Sequence, residues 1–414
     1  MAAVSRRSFL VGAATLALAR PAFAATSRSF RNARIVIGDG NELDGGVRIE
    51  GGKIVEVGPG VNDGEDLGGA VLFPGFYDGG STLGLTEIDL EAATQDAQEA
   101  SDAVTPQARV VDGYNPRSVL LPVARLQGVL GALVIPGGGS LVSGQAAWVR
   151  TAGDTVDDAV IVAPAGVCFN LGHAGTGGPN GPKSRMGVAM KLRDLFDADT
   201  PKPPPAKRKC KKGEPEKPED LTRAQKVVRA LLARETKAIL CAHRADDILI
   251  ALALAKEFGL DAILLGAAEG HLVARQIADA KVPVLLGPVT LQPDGFDTLY
   301  ARYDNAALLH AAGVSIALRQ GSPHNLRDLP TEACIAVAHG LPREAAVAAV
   351  TGNGPGFWGL SVGRIAVGHE ASFARCDGDP LQPRTRVTGV WMRGEPLPLV
   401  SHQTELYERF RTLH

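Results

Sequence analysis

A chain of 414 residues with 45% hydrophobic content can bury a full core and has room for one large and one small domain. Its formal charge of −2 comes from 43 basic and 45 acidic residues, so no global field selects nucleic acid or an anionic membrane as partner. The cysteines, Cys168, Cys210, Cys241, Cys334 and Cys376, are odd in number and lack CxxC spacing, which argues against a disulfide framework or a zinc knuckle.

The first residues read MAAVSRRSFLVGAATLALARPAFA: Arg6 and Arg7, an apolar run from Phe9 to Ala19, then Ala22-Phe23-Ala24. A charged region, a short hydrophobic region and a small-residue cleavage site follow in that order, and SRRSFL resembles a twin-arginine export signal. The run is too short to cross a hydrocarbon core of about 30 Å, so no stable membrane insertion is expected. Residues 1–24 are therefore predicted to be a twin-arginine signal peptide, and the mature protein to be periplasmic or secreted.

From 25 to 73, short apolar runs alternate with turn signals in ARIVIGDG, GGVRIEGGKIVEVGPG and GGAVLFPG, the pattern of short antiparallel strands. A matching pattern, SFARCDGDP and RVTGVWMRGEPL, fills 365–400 before a tail at 401–414. Together they predict a small β-sandwich domain formed by both chain ends. Across 74–364 and just before it, seven apolar runs recur with helical patterns between them: Val71 to Tyr77, Ala132 to Ile135, Ala159 to Ala163, Ala238 to Ala242, Asp261 to Leu265, Pro283 to Leu286 and Val314 to Leu318. Such strands form a parallel sheet covered on both faces. A closed (β/α)₈ barrel requires one strand more, and an open doubly wound sheet is the competing arrangement. The stretch DTPKPPPAKRKCKKGEPEKPED, 199–220, is too proline-rich and charged to pack and reads as a disordered insertion; without interleaved aromatics it does not suggest nucleic-acid binding.

Several blocks together resemble the amidohydrolase superfamily, in particular its imidazolonepropionase-like branch: GGKIVEVG with VLFPGFYDGGSTLGL, VTPQARVVDGYNP, GGGSLVSGQAAWV, AHRADDILIALALAKEFGLDAILLGAAEGHLVA, VPVLLGP and VGRIAVGHEASFARCDGDPL. The resemblance covers nearly all of the mature chain. It implies an α/β fold, a TIM-like (β/α)₈ barrel with a small β-sandwich. It also implies hydrolysis of C–N bonds other than ordinary peptides, by water activated on one or two divalent metals, usually zinc, at the barrel mouth.

The metal-ligand positions are degenerate. The first-strand pair of histidines falls on Gly80 and Thr82, the sixth-strand histidine on Gly266 and the last-strand aspartate on Gly321. No fourth-strand Lys or Glu can be placed, and only His243, on the fifth strand, is retained. One imidazole cannot hold a catalytic zinc, which takes three protein ligands and a water, so no cofactor is predicted. Trading His and Asp for Gly implies a roomier and less polar cavity.

A mouth assembled from His243, Arg244, Asp246, Asp247, Glu269, His271 and the loop Ser322-Pro323-His324-Asn325 still offers acids, bases and donors, and Glu87 and Asp89 could join it. His243 paired with Asp247 or Glu269 is the expected catalytic group, since a His–carboxylate pair at roughly 3 Å can do acid–base chemistry without metal. Arg244, His271, Ser322 and His324 are expected to bind substrate. A histidine at a strand end can equally be a structural residue hydrogen-bonded to a carboxylate. Two functions remain in view: a metal-independent hydrolase of cyclic amides or acyl-amino compounds, and a catalytically inactive pseudo-hydrolase that binds a small molecule or partner subunit. A homo- or hetero-oligomer in which another subunit supplies ligands is left open.

Overall fold

The computed structural model describes residues 27–200, 221–293 and 295–412. The expected export signal lies outside these residues, as does the expected insertion beyond Thr200. Among the described residues no helix is long and apolar enough to cross a membrane.

The strands follow in chain order as β1 (Arg28–Val36), β2 (Glu42–Glu50), β3 (Lys53–Gly58), β4 (Glu65–Asp66), β5 (Val71–Phe73), β6 (Phe76–Ser81), β7 (Val129–Val134) and β8 (Val142–Arg150). They continue as β9 (Val160–Asn170), β10 (Lys237–Ala242), β11 (Ala262–Gly266), β12 (Val284–Leu286), β13 (Ile316–Leu318), β14 (Phe373–Cys376), β15 (Val387–Met392) and β16 (Glu395–Leu397). They form two sheets of eight strands each.

The first sheet joins the chain ends in the order β16-β15-β14-β5-β1-β2-β3, with β4 beside β1. The joint is the antiparallel pairing of β5 with β14, where Leu72 faces Arg375. Alternation along β1 buries Phe30, Ala33 and Ile35, and Phe30 meets Phe373 and Trp391 with ring centroids 5.6 and 5.0 Å away. Aromatic pairs of this kind add to the area they bury, and they give the small sheet its own core.

The second sheet is a nearly closed barrel whose strands lie in chain order from β6 to β13. Its pairs are parallel except that β8 runs antiparallel to both β7 and β9. Two departures from the sequence pattern follow. The apolar run from Val71 to Tyr77 is divided at Pro74-Gly75, its first half in one sheet and its second in the other. The strand absent from the apolar count is β8, where Ser143, Gly144 and Gln145 interrupt the run and the chain returns as a hairpin. Helices Ala245–Glu257, Ala274–Ala280 and Asn305–Ala311 separate the later strands in the chain.

Between β6 and β13 no ladder forms, and side chains close the seam. The Asp78 carboxylate accepts from the backbone N–H of Gln320 at 2.6 Å and of Gly80 at 2.9 Å. The Arg319 guanidinium donates through Nε to the carbonyl of Gly80 at 2.9 Å. Asp78 is fully buried, and burial pushes its carboxyl up while these N–H groups and Arg319 pull it back.

Candidate active site at the barrel mouth

The C-terminal ends of the parallel strands bring Gly80, His243, Gly266 and the turn Arg319-Gln320-Gly321 to one face of the barrel. The glycines there are not vacancies. A Cβ at Gly266 would stand 2.6 Å from Cε1 and 2.8 Å from Nε2 of His243, so the imidazole lies where that side chain would begin. A Cβ at Gly321 would be 3.0 Å from Nη2 of Arg319, and one at Gly80 would be 3.5 Å from its Nε and 3.2 Å from Leu265. All three backbones have positive φ, +153° at Gly80, +96° at Gly266 and +89° at Gly321, which L side chains adopt at a cost. The expected roomier, less polar cavity is therefore not what forms. At these glycines the space where a side chain would begin is taken by His243 and the Arg319 guanidinium.

The acids expected to serve His243 are engaged elsewhere. Glu269, 5% exposed, accepts from the backbone N–H of Ala245 at 2.9 Å, at the start of helix Ala245–Glu257. A carboxylate there satisfies a donor that has no intrahelical partner and faces the positive end of the helix dipole. The chain itself connects Glu269 to His243, through Glu269 N–H to His243 O at 2.9 Å. Asp247, 4% exposed, accepts from Arg185 Nε at 3.0 and 3.1 Å. Arg185 also reaches Asp297 at 2.5 Å, whose second oxygen accepts from His173 N–H at 3.0 Å. Burial pushes the Asp247 carboxyl up and Arg185 pulls it back.

The remaining candidates separate into groups. Arg244 pairs with its neighbour Asp246 at 3.0 Å. His271 lies among Arg302, Asp304 and Asn305, with its pKa lowered by burial and then by Arg302. His324 bonds the carbonyl of Glu87 at 2.9 Å and stands 3.7 Å from Asp89, so the loop after β6 does meet the loop after β13. Ser322 N–H donates to the Gln320 side chain at 2.8 Å, and Thr82 accepts from Leu85 N–H through its carbonyl at 2.9 Å. The sequence reading missed Arg319, Arg185 and Asp297. Only Arg319 carried a local signal, a cation at the end of an otherwise apolar strand, IALRQ.

A catalytic zinc centre does not fit these residues. Among the described residues no three His, Cys, Asp or Glu side chains are grouped to hold a metal ion. Two of the glycine positions abut a guanidinium, which repels a divalent cation, and the third is covered by the His243 ring.

No protein-family profile matches the chain. An amidohydrolase of Hapsidospora irregularis is 32% identical over 87 residues, 21% of this chain, and the match spans 9% of that protein's length. Among solved structures, an amidohydrolase from Thermotoga maritima superposes with a TM-score of 0.79 at 26% identity, over 89% of this chain and 99% of its own. A prolidase bound to N-methylphosphonate-L-proline gives 0.57 at 17% identity, and phenylurea hydrolase B 0.54 at 14%; each covers 90% of this chain, and 99% and 96% of its own respectively. At such identities the last two speak for the fold alone.

Proposed function

The chain belongs to the amidohydrolase superfamily, and from that premise we propose that it is an exported, imidazolonepropionase-like member that hydrolyses non-peptide C–N bonds, in cyclic amides or acyl-amino compounds, without the usual divalent metal centre. We read 74–364 as a (β/α)₈ barrel in which the β7–β8 hairpin replaces one β/α unit, 25–73 with 365–400 as its companion β domain, and 1–24 as the signal that sends it to the periplasm. The observation that carries the reading is the likeness to the Thermotoga amidohydrolase over 89% of the chain, combined with His243 at the mouth, the one expected ligand position that keeps an imidazole.

In this reading His243 takes a proton from water as its oxygen adds to the acyl carbon, and returns it to the nitrogen as the C–N bond breaks. Imidazole suits both steps because its ordinary pKa is near neutrality. The second reading, a pseudo-hydrolase that binds a small molecule or a partner subunit, draws support from the commitment of Asp247 to Arg185 and of Glu269 to Ala245.

The test is a screen of cyclic amides and N-acyl amino acids against wild type and His243→Ala, with and without chelator. The expected result is turnover that chelator does not touch and His243→Ala abolishes. Hydrolysis that chelator stops would overturn the metal-independent mechanism, and ligand binding without turnover would select the second reading.

A further inference from the structure

The barrel mouth carries one guanidinium that no carboxylate contacts within ion-pair distance among the described residues, although buried Asp78 feels its charge. Asp78 is saturated by backbone donors, Asp247 and Asp297 share Arg185, Glu269 caps a helix, and Arg244 pairs with Asp246. Arg319 differs. Its Nε is spent on the Gly80 carbonyl, which fixes the plane of the guanidinium, and among the described residues it makes no salt bridge. Its side chain is only partly buried, and among the described residues its two Nη groups make no hydrogen bond. Leu265, Ile135 and Leu285 border the glycines on which it lies. A guanidinium held in one orientation against apolar walls is costly to leave without an anion, and its parallel N–H pair matches the two oxygens of a carboxylate.

We propose that Arg319 is a carboxylate-binding residue, and that the ligand of this mouth is a small organic monoanion whose carboxylate docks on its outward N–H groups. Gly321 permits this arrangement, because a Cβ there would lie 3.0 Å from Nη2. The inference rests on the barrel mouth being the ligand site, but not on turnover: it concerns what is held, whether or not it is then cleaved. It narrows the acyl-amino class to members with a free carboxylate close to the acyl nitrogen.

The experiment uses the full mature chain and a matched pair of probes, N-acetyl-L-leucine and its neutral amide, N-acetyl-L-leucinamide, with affinities from titration calorimetry and product followed in the same samples. Wild type is expected to bind the acid roughly ten- to hundredfold more tightly than the amide, the range of a charge-assisted hydrogen-bonded pair. Arg319→Gln is expected to remove that preference, with a much larger loss of affinity for the acid than for the amide. Should Arg319→Gln fail to fold, Arg319→Lys tests the same point, since it keeps the charge but not the oriented N–H pair and is expected to lose most of the preference. Equal binding of acid and amide by wild type, or an undiminished preference in the folded variant, overturns the proposal. Acid-selective binding without product would sink only the hydrolase reading, and product formed without acid preference would sink only the Arg319 assignment.

Discussion

The two ends of the barrel each carry a conspicuous arginine, and the protein treats them in opposite ways. At the end facing the small sheet, Arg150 on β8 holds Glu370 through Nε at 3.1 and 3.2 Å and Nη2 at 2.5 Å, both side chains being about 15% exposed or less. Ser372 donates a further hydroxyl bond to the same carboxylate at 2.6 Å, and Arg150 Nη1 reaches the Val160 carbonyl at 3.1 Å. At the mouth, Arg319 has a backbone carbonyl for its Nε and, among the described residues, no carboxylate in direct ion-pair contact, Asp78 acting on it only through its charge. One guanidinium is spent on tying barrel to sheet. The other closes the seam through one bond, to the Gly80 carbonyl, and keeps its Nη groups for a ligand.

The largest test of that contrast is Glu370→Gln. It leaves Arg150 partly buried without its counter-charge, and a loss of about 3 kcal/mol in urea unfolding is expected, whereas Arg319→Gln, which deletes one neutral acceptor bond, should cost under about 1 kcal/mol. Similar losses in the two variants would break the comparison. Next in size is Gly266→Ala, which combines a backbone at φ +96° with a Cβ 2.6 Å from the His243 ring and should cost about 2 kcal/mol. Adding His243→Ala should return part of that loss, the contact share, while the backbone share stays; strict additivity in the double-mutant cycle would show that ring and glycine do not compete.

The smallest effect is in pH dependence, where each end has a histidine with a lowered pKa. Burial, then Arg302 for His271 and Arg364 for His369, lowers both imidazoles below their ordinary range. With folded pKa below unfolded pKa, each contribution to stability is complete above about pH 6.5 and is lost as pH falls through the folded value. His271→Asn and His369→Gln should each flatten the decline in unfolding midpoint between about pH 7 and pH 5. A steeper decline in either variant would reverse the sign argued here.

How much of this could be read in the chain depended on how local the cause was. Period-two alternation located the strands of the small sheet, because turn residues bound them within a few positions. Seven apolar runs marked seven barrel strands, but β8 was invisible as a strand because its pairing is decided by β7 and β9, not by Ser143-Gly144-Gln145 itself. At the site, His243, Asp247 and Glu269 stood out as chemically able residues near strand ends. Their partners did not: Arg185 is 62 residues from Asp247, and Ala245 is 24 from Glu269. The glycines at 80, 266 and 321 read as losses of ligands. Only the folded chain shows what moved into their places, since a neighbour's side chain leaves no mark on the sequence of the position it fills.

The side-chain seam between β6 and β13 gives the barrel one joint unlike the rest. Elsewhere the ring is held by runs of backbone bonds that must break together, whereas here Asp78 and Arg319 act as two clasps on otherwise unladdered strands. Such a ring breathes first at its clasp, in a local opening far cheaper than unfolding the whole. Arg319 belongs both to that clasp and to the mouth. An anion that steadied its guanidinium would therefore also slow the ring's opening, so that occupancy of the mouth and the mechanical tightness of the barrel would rise and fall together.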